Sequence, residues 1–282
     1  MEFTVASTLN TNLPSLMAQR ALSTTGRSLG ISMQRLSTGL RVNSAKDDAA
    51  GVAIAERMTS QIRGMRVASR NANDGISLSQ TAEGALGKIG DSLQRMRELA
   101  VQSSNATNAT GDRANLDQEY RALSAEIIRV ITGTRFNGHT LLHGAGSMGF
   151  QVGPDPASAN TITVAMASIW TGPGMSVAVS GAGATISSAA SALAVLSNLD
   201  AAIDEVTTAR SSLGAVQNRF ERVVANLATS SENLQAARGR IMDADFAVET
   251  SNLSRAQVLQ QAGHAMLAQA NQLPQQVMAL LR

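Results

Sequence analysis

Two close pairs of carboxylates are the first candidates for chemistry in this sequence. Asp47 stands directly before Asp48, and Asp243 is separated from Asp245 by one residue. Neighbouring carboxylates can act as a general acid and base or bind a cation. They also cap helices, because a carboxylate near a helix start accepts hydrogen bonds from free backbone N–H groups and complements the helix dipole. Ser44 adds a start signal for a helix through 53, so we interpret both pairs as caps.

Two histidines are the next candidates. His139 and His143 are four residues apart, the spacing of two metal ligands on one face of a helix. An Asn-Gly pair precedes His139 and Gly144 follows His143, which indicates a turn rather than a helix. The third histidine, His264, is remote in the sequence. We therefore predict neither a metal site nor a bound cofactor.

The composition argues against an enzyme. The 282 residues include no Cys, which excludes disulfides, thiolate metal sites and cysteine nucleophiles. The sequence contains no phosphate-binding loop, serine-hydrolase motif or zinc-protease motif. Aromatic residues make up only 2% of the chain, although ligand pockets are usually lined with aromatic side chains. We predict a non-enzymatic protein built from helices that pack along their length.

The charge pattern does not indicate a nucleic-acid or membrane partner. The formal net charge is +2, from 23 basic and 21 acidic side chains, and the arginines are scattered among acids without interleaved aromatics. No apolar run approaches the roughly 18 residues of a transmembrane helix. Residues 1–13 contain neither the basic cluster nor the apolar core of a secretory signal peptide. Composition alone therefore predicts a cytoplasmic protein.

Hydrophobic periodicity predicts long helices near both ends of the chain. Apolar residues recur at spacings of three and four over roughly six heptads from Leu196 to Ile241, as in a coiled coil or helical bundle. Further helices are predicted at about 76–102 and 115–131. Near the N-terminus the same spacing is kept by Leu22, Leu29, Met33, Leu36 and Leu40. Near the C-terminus it is kept by Leu259, Met266, Leu273, Val277 and Leu280.

These two terminal stripes have features of an assembly surface. A terminal helix frays unless it is docked, and Pro274 should kink the second stripe. Small residues at Gly26, Gly263 and Ala270 would permit close helix approach. We predict that the two stripes pair with each other or with other copies and act as self-assembly seams.

The middle of the chain is neutral and rich in turn residues. Between Arg135 and Asp200 the only formal charge is Asp155. Segments 148–152, 161–167 and 175–180 are short, partly alternating runs bounded by Gly and Pro, a pattern typical of strands. The predicted fold class is therefore mainly α: a long coiled-coil or bundle rod formed by both chain ends, with a small β-hairpin-rich segment in the middle.

Five blocks of this sequence resemble bacterial flagellins. Three lie in the N-terminal half: RLSTGLRVNSAKDDAAGVAI at 35–54, NANDGISLSQTAEGAL at 71–86 and LQRMRELAVQS at 93–103. Two lie near the C-terminus: RIMDADFAVE at 240–249 and LQQAGHAMLAQANQLPQ at 259–275. The resemblance covers 1–153 and 190–282 with the blocks in the family's order.

The resemblance implies a structural protein that polymerises into the helical filament of the bacterial flagellum and serves swimming motility. It implies that 1–42 and 243–282 form a coiled coil lining the inner core of the filament. Segments 43–144 and 191–242 would form the two halves of a rod-like helical bundle. Segment 145–190 would be a short variable segment on the surface.

The resemblance also implies partners and a location. Flagellins pass unfolded through the flagellar type III export apparatus, so the expected partners are an export chaperone, that apparatus, many further copies of the chain, and the filament cap and hook-junction proteins. The expected location becomes extracellular. Gln94, Arg95, Leu99 and Glu119 resemble the segment that the innate flagellin receptor recognises, although Leu99 could instead pack inside the bundle.

Two other functions remain open at this stage. A hook–filament junction protein would share the terminal motifs. A glycan-binding or adhesive flagellin homologue could use Trp170, because an indole ring in a polar segment can stack on a sugar. The same Trp170 could instead anchor the core of a small hairpin.

Overall fold

The computed structural model describes residues 11–144, 146–166, 168–181 and 184–280, with side chains as far as residue 272. The described chain is mainly helical with two small hairpins, which confirms the predicted fold class. The helices are α1 (Leu13–Thr38), α2 (Ala49–Ser104), α3 (Thr110–Gly133), α4 (Pro173–Met175), α5 (Ala189–Met242) and α6 (Phe246–Leu280). The strands are β1 (Arg135–Phe136), β2 (His139–Thr140), β3 (Gly146–Gln151) and β4 (Thr161–Met166). None of the helices in the described ranges is long and apolar enough to cross a membrane.

The chain forms two compact units. The terminal unit consists of the described residues of Met1–Ser60 and Leu234–Arg282, and the central unit is Gln61–Asn233. The terminal unit contains α1 and α6. The central unit contains α3, α4 and the four strands, together with most of α2 and α5.

Helix α1 has clear boundary signals. The side chain of Asn12 accepts a hydrogen bond from the Ser15 N–H at 3.1 Å, and Pro14 lies in the first turn, where no intrahelical N–H is lost. At the other end Gly39 adopts a left-handed conformation with φ 72°, and its N–H donates to the Arg35 carbonyl at 2.8 Å. Glycine adopts this conformation without the strain of a side chain, so the helix stops there.

The close carboxylates serve local structure, as the capping interpretation predicts. The Asp48 carboxylate accepts from the Gly51 N–H at 2.8 Å at the start of α2. At the start of α6, Asp245 accepts from the N–H groups of Ala247 and Val248 at 2.9 and 3.2 Å. These bonds satisfy donors that have no partner within the helix.

Asp47 stabilises the turn before α2 rather than the helix itself. Its carboxylate accepts from the N–H groups of Ser44 and Asn43 at 2.9 and 3.1 Å. These bonds, with that of the Ser44 hydroxyl, lower the pKa of Asp47 below its ordinary value. The helix therefore begins at Ala49 and not at Ser44.

Helix α2 is longer than the sequence pattern predicts. The segments through 53 and at 76–102 are parts of one helix that runs from Ala49 to Ser104. Between them the buried apolar side chains are those of Ala55, Ile62, Ala68 and Ala72. Three of these four are alanines, which add little to a hydrophobic stripe, so the periodic signal fades although the helix continues.

Two antiparallel hairpins lie in the middle of the chain. Strands β3 and β4 pair from Gly146 with Met166 to Gln151 with Thr161, which confirms the strands predicted in this region. In the shorter hairpin Phe136 pairs with His139, and Asn137 and Gly138 make the turn with φ values of 47° and 84°. Positive φ at both positions is the signature of a two-residue hairpin turn, for which Asn-Gly is preferred.

The strand predicted at 175–180 is wrong, because this segment is helical. Helix α4 continues into a single π-helical turn at Ser176–Ser180. The carboxylate of Glu205 on α5 accepts from the N–H groups of Gly174 and Met175 at 2.9 and 3.2 Å, which caps the turn. Met175, Ala178 and Val179 are buried at helical spacing.

The core of the central unit joins α2, α3 and α5. Phe220 of α5 is fully buried and packs on Gly75 of α2, where a Cβ atom would lie 2.6 Å from the ring. The Phe220 ring also meets Phe150 of β3 edge to face, with centroids 5.5 Å apart. The scarce aromatic residues thus fasten the β3–β4 hairpin to the helices. Other buried core residues include Leu78, Leu86, Ile89, Leu93, Met96, Ile127, Ile131, Leu199 and Val206.

Buried polar side chains tie the segment after α4 to helix α3. The Tyr120 hydroxyl donates to the Ala178 carbonyl at 2.7 Å, and the Asp117 carboxylate accepts from the Ile186 N–H and the Thr185 hydroxyl, each at 2.7 Å. Burial raises the pKa of Asp117, but these bonds, together with an ion pair to Arg121, outweigh it and lower the pKa below its ordinary value of 3.8. Asp117 is therefore a charged anchor in a nearly closed site.

We predict that Asp117→Asn lowers the free energy of unfolding of the central unit by about 1–3 kcal/mol at neutral pH, because it removes charge-assisted bonds at a buried site. Since the folded pKa of Asp117 is lowered, its stabilisation is present above pH 3.8 and is lost as the pH falls through the folded value. Urea unfolding followed by the fluorescence of Trp170, the one Trp, measures both effects. The exposed Asp155→Asn variant is the control, and an equal loss in both variants would contradict the anchor.

Candidate functional site

Helices α1 and α6 pack along each other in opposite directions. At one end the Asn12 side-chain amide donates to the Ala270 carbonyl, and the Ser15 hydroxyl donates to Asn271 Oδ1, both at 2.8 Å. At the other end the Ser32 hydroxyl donates to Glu249 Oε1 at 2.6 Å. Helices α1 and α6 therefore pair with each other, which is one of the two pairings predicted for the terminal segments. We call α1 and α6 together the terminal pair.

Of the two glycines at seam positions, only Gly263 lies at a close approach of the two helices. A Cβ atom at Gly263 would lie 2.9 Å from Leu22 Cδ2, so this glycine lets the helices meet. A Cβ atom at Gly26 would meet no atom within 4 Å, so the close approach predicted there is wrong. Ala270 is buried in the pair.

The helices face each other with small or polar residues. The buried residues of the terminal pair are Ser15, Ser32, Glu249, Ala256 and Ala270. No large apolar side chain among the described residues of α1 and α6 is fully buried. Burial of small side chains contributes little hydrophobic free energy, so polar contacts, close fit and half-buried leucines such as Leu22 hold the pair together.

The structure divides the predicted seam residues into two groups. Leu22, Leu29, Leu36 and Leu40 are half-buried, in keeping with a position at the pair. Met33, Leu259 and Met266 are 58%, 53% and 65% exposed. These three side chains do not face the partner helix, because the adjacent row with Ala256, Gly263 and Ala270 faces α1. As seam residues they remain a prediction of contact with other copies. The side chains of Leu273, Val277 and Leu280 lie outside the described residues.

The outer surface of the terminal pair carries an unusual amount of apolar area. Among the described residues, ten of the fifteen most exposed large apolar side chains lie on α1 and α6. They are Leu13, Leu16, Met17, Ile31 and Met33 on α1, and Phe246, Val248, Val258, Leu259 and Met266 on α6. This concentration of exposed large apolar side chains on two helices favours a contact with another molecule. We call these ten residues the apolar outer face.

The predicted receptor residues lie in the central unit. Gln94, Arg95 and Glu119 are exposed, and Arg95 forms ion pairs with Glu98 and Glu119, each at 2.9 Å. Leu99 is only 1% exposed and belongs to the core. Of the two interpretations of Leu99, the structure supports packing inside the bundle, so a surface contact through Leu99 is wrong for the folded chain.

Trp170 and the two histidines belong to the loops around the hairpins. Trp170 is half-buried, packs against the core and stacks on His143 with ring centroids 5.9 Å apart. One face of the indole is therefore already covered, which supports the anchoring interpretation over sugar stacking. His139 lies on β2, and the described residues contain no group of three side chains that could hold a metal ion.

Sequence reasoning missed the polar contacts of the terminal pair. The signal was present, because Ser15 and Ser32 interrupt the apolar pattern of α1 and Glu249 interrupts that of α6. A pattern of spacings does not show which interruptions face each other across two helices 217 residues apart in sequence.

Comparison with known proteins finds one family at both ends of the chain. Residues 9–147 match the bacterial flagellin N-terminal helical region, and residues 196–281 match the bacterial flagellin C-terminal helical region. The chain is 44% identical over 275 residues to a flagellin of Halalkalibacterium halodurans, with 97% of this chain and 99% of that protein covered. These matches confirm the resemblance seen in the sequence.

Two solved structures are also similar. The crystal structure of Bacillus cereus flagellin matches with 30% identity and a TM-score of 0.50, covering 60% of this chain and 94% of that one. A structure described as a flagellar hook-associated protein from Vibrio parahaemolyticus matches with a TM-score of 0.62 and 16% identity, covering 70% of this chain and 100% of that one. At that identity the second likeness shows the fold alone.

We predict that Leu99→Ala lowers the free energy of unfolding by about 2–5 kcal/mol, because it leaves a cavity in the core. Gln94→Ala, five residues away on the exposed side of α2, should change it by less than about 0.5 kcal/mol. Urea unfolding followed by Trp170 fluorescence measures both. Equal, small effects would show that Leu99 is free for a surface contact.

Proposed function

Since the chain belongs to the bacterial flagellin family, as a structural subunit of the extracellular flagellar filament, we propose that its terminal pair is the surface through which copies assemble. The observation that carries this proposal is the apolar outer face, which one chain leaves in contact with water. The central unit differs, because its large apolar side chains are mostly enclosed in its own core.

The hydrophobic free energy that burial of the apolar outer face would contribute is large enough to favour assembly. Full burial of one large apolar side chain contributes about 1.5–3 kcal/mol. The residues of the apolar outer face are between 46% and 65% exposed, so each has roughly half of that still to gain. Ten such residues sum to on the order of 10 kcal/mol per subunit, before the entropic cost of association.

This proposal gives roles to the segments of the chain. Segments 1–42 and 243–282 form the inner core of the filament, 43–144 and 191–242 form the surrounding helical bundle, and 145–190 lies toward the outside.

The proposal extends to the partners of the chain. The same exposed apolar residues require cover before assembly, which favours an export chaperone on the terminal segments and passage through the type III export apparatus. Cap and hook-junction proteins would meet the same surface at the two ends of the filament. The exposed Gln94, Arg95 and Glu119 are the residues available to an innate flagellin receptor. We assign no catalytic step, since the close carboxylates Asp48 and Asp245 are engaged as helix caps.

The alternative of a hook–filament junction protein is less well supported. The hook-associated structure shares the fold at 16% identity, whereas the flagellin relative shares 44% over nearly the whole of both chains. Electron microscopy separates the two, because a junction protein forms a short collar and a filament subunit forms long polymers.

We predict that deletion of residues 263–282 leaves a soluble chain that does not polymerise, because it removes half of α6 and with it the pairing partner of Leu22 and Ser15. Negative-stain electron microscopy after salting out gives the readout, with the intact chain prepared in parallel. Unfolding of the central unit, followed by Trp170 fluorescence, should be unchanged. Normal filaments from the shortened chain would contradict the proposal.

We predict that Leu259→Ser raises the critical concentration for polymerisation on the order of tenfold, because it removes apolar area that assembly buries. Leu193→Ser is the matched control, since Leu193 is a helical leucine of similar exposure, 60% against 53%, outside the terminal pair. Sedimentation of polymer at a series of protein concentrations measures both. Equal effects would mean that the apolar outer face has no special part in assembly.

A further inference from the structure

We propose that the buried contact between Ser32 and Glu249 fixes the register of α1 against α6, and thereby determines which residues the terminal pair presents to other copies. The consequence for assembly rests on the function proposed above. The register itself is a distance within one chain, so it is measured separately from the amount of polymer formed.

The geometry is that of a closed polar contact. Ser32 and Glu249 are 5% and 7% exposed. The Ser32 hydroxyl donates to Glu249 Oε1 at 2.6 Å, and Arg35 Nη1 lies 3.7 Å from Glu249 Oε2. Each carboxylate oxygen therefore has its own partner. Glu249 also lies in the first turn of α6, where the helix dipole favours a negative charge.

Apolar packing specifies the register only in part. Leu22 packs on Gly263, but the other fully buried residues of the pair, Ser15, Ala256 and Ala270, are small, and small side chains fit against a neighbouring helix at more than one axial offset. Buried polar residues discriminate better, because an incorrect pairing leaves a donor or a charge without a partner. A single polar residue at a core position sets the register of coiled coils in this way.

A shift of α6 by one heptad along α1 shows how the Ser32–Glu249 contact distinguishes the native register from others. Sliding α6 by seven residues keeps the same side toward α1, because seven residues make close to two helical turns. In one direction the slide brings Ala256 opposite Ser32 and Glu249 opposite Gly39, so Ser32 loses its acceptor and Glu249 loses the Ser32 hydroxyl. In the other direction Glu249 comes opposite Thr25, but Ser32 passes beyond the first residue of α6, Phe246, and again loses its acceptor.

The contacts at the far end of the pair agree with the same register. Asn12 and Ser15 meet residues 270 and 271 there. The acceptor for Asn12 is a backbone carbonyl, and backbone carbonyls recur along the helix, whereas Glu249 is the one acidic side chain on α6. The Ser32–Glu249 contact is therefore the more discriminating of the two.

The test measures the axial offset of α1 and α6 in the full-length chain. Because the sequence contains no Cys, Ser23→Cys and Gln261→Cys create two exposed sites for spin labels on α1 and α6. The labelled chain is polymerised in a large excess of unlabelled chain, so that distances between copies do not contribute. Pulsed electron paramagnetic resonance then gives the distance distribution between the two labels.

We expect a single distance for the parent chain and for Glu249→Gln, which retains an oxygen that accepts from Ser32. Glu249→Leu should reduce the preference for the native register by roughly tenfold or more and add a population in which the labels are displaced by about 10 Å along the helix. Glu232→Leu, the same change at an exposed position on α5, is the matched control and should leave the single distance unchanged.

A single, unchanged distance in Glu249→Leu would overturn the proposal. If that variant fails to enter the polymer, Ser32→Ala serves in its place, since it removes the donor and changes little volume; an unchanged distribution in Ser32→Ala would overturn the proposal equally. Failure of the assembly function is distinguishable, because it would appear as normal polymerisation of the chain without residues 263–282.

Discussion

The fully buried contacts of the terminal pair are made by small and polar residues, and ten large apolar side chains of the two helices are left exposed. Ser32, Glu249 and Ala256 occupy the contact, while Met17, Leu259 and Met266 face solvent. One chain cannot bury both rows, because a helix turned to bury Met266 would withdraw Gly263 and Ala270 from α1. The apolar area that the described residues leave exposed is available to another molecule. In a filament, every subunit is surrounded by further copies of itself, which can cover this area.

The central unit differs, because most of its large apolar side chains are buried in its own core. Phe220 packs on Gly75 and Phe150, and Asp117 and Tyr120 hold the segment after α4, so these apolar and polar groups find their partners inside the unit. This core does not require another copy to cover it. This separation explains the scarcity of aromatic residues, since the long terminal helices need close fit and an outer apolar stripe instead of bulky core side chains.

Sequence reasoning succeeded where the signal is local. The cap at Asp48, the Asn137–Gly138 turn and the β3–β4 hairpin follow from residue types at fixed short spacings. It failed where the local structure, or the side of a helix that makes a contact, depends on a residue far away in the sequence. The helical turn after Pro173 depends on the Glu205 carboxylate some thirty residues away, and heptad spacing found Leu259 and Met266 without showing that the row beside them faces α1. Both failures concern which surface meets which partner, and a single sequence does not encode that choice in its spacing.

The central claim is that assembly buries the apolar outer face. A cysteine at position 266, made by Met266→Cys in this chain without Cys, tests it directly through its rate of reaction with a maleimide in the soluble chain and in the polymer. The account predicts rapid labelling of the soluble chain and, in the filament, labelling reduced to the background of the unsubstituted chain. Equal rates in the soluble chain and the filament would contradict it.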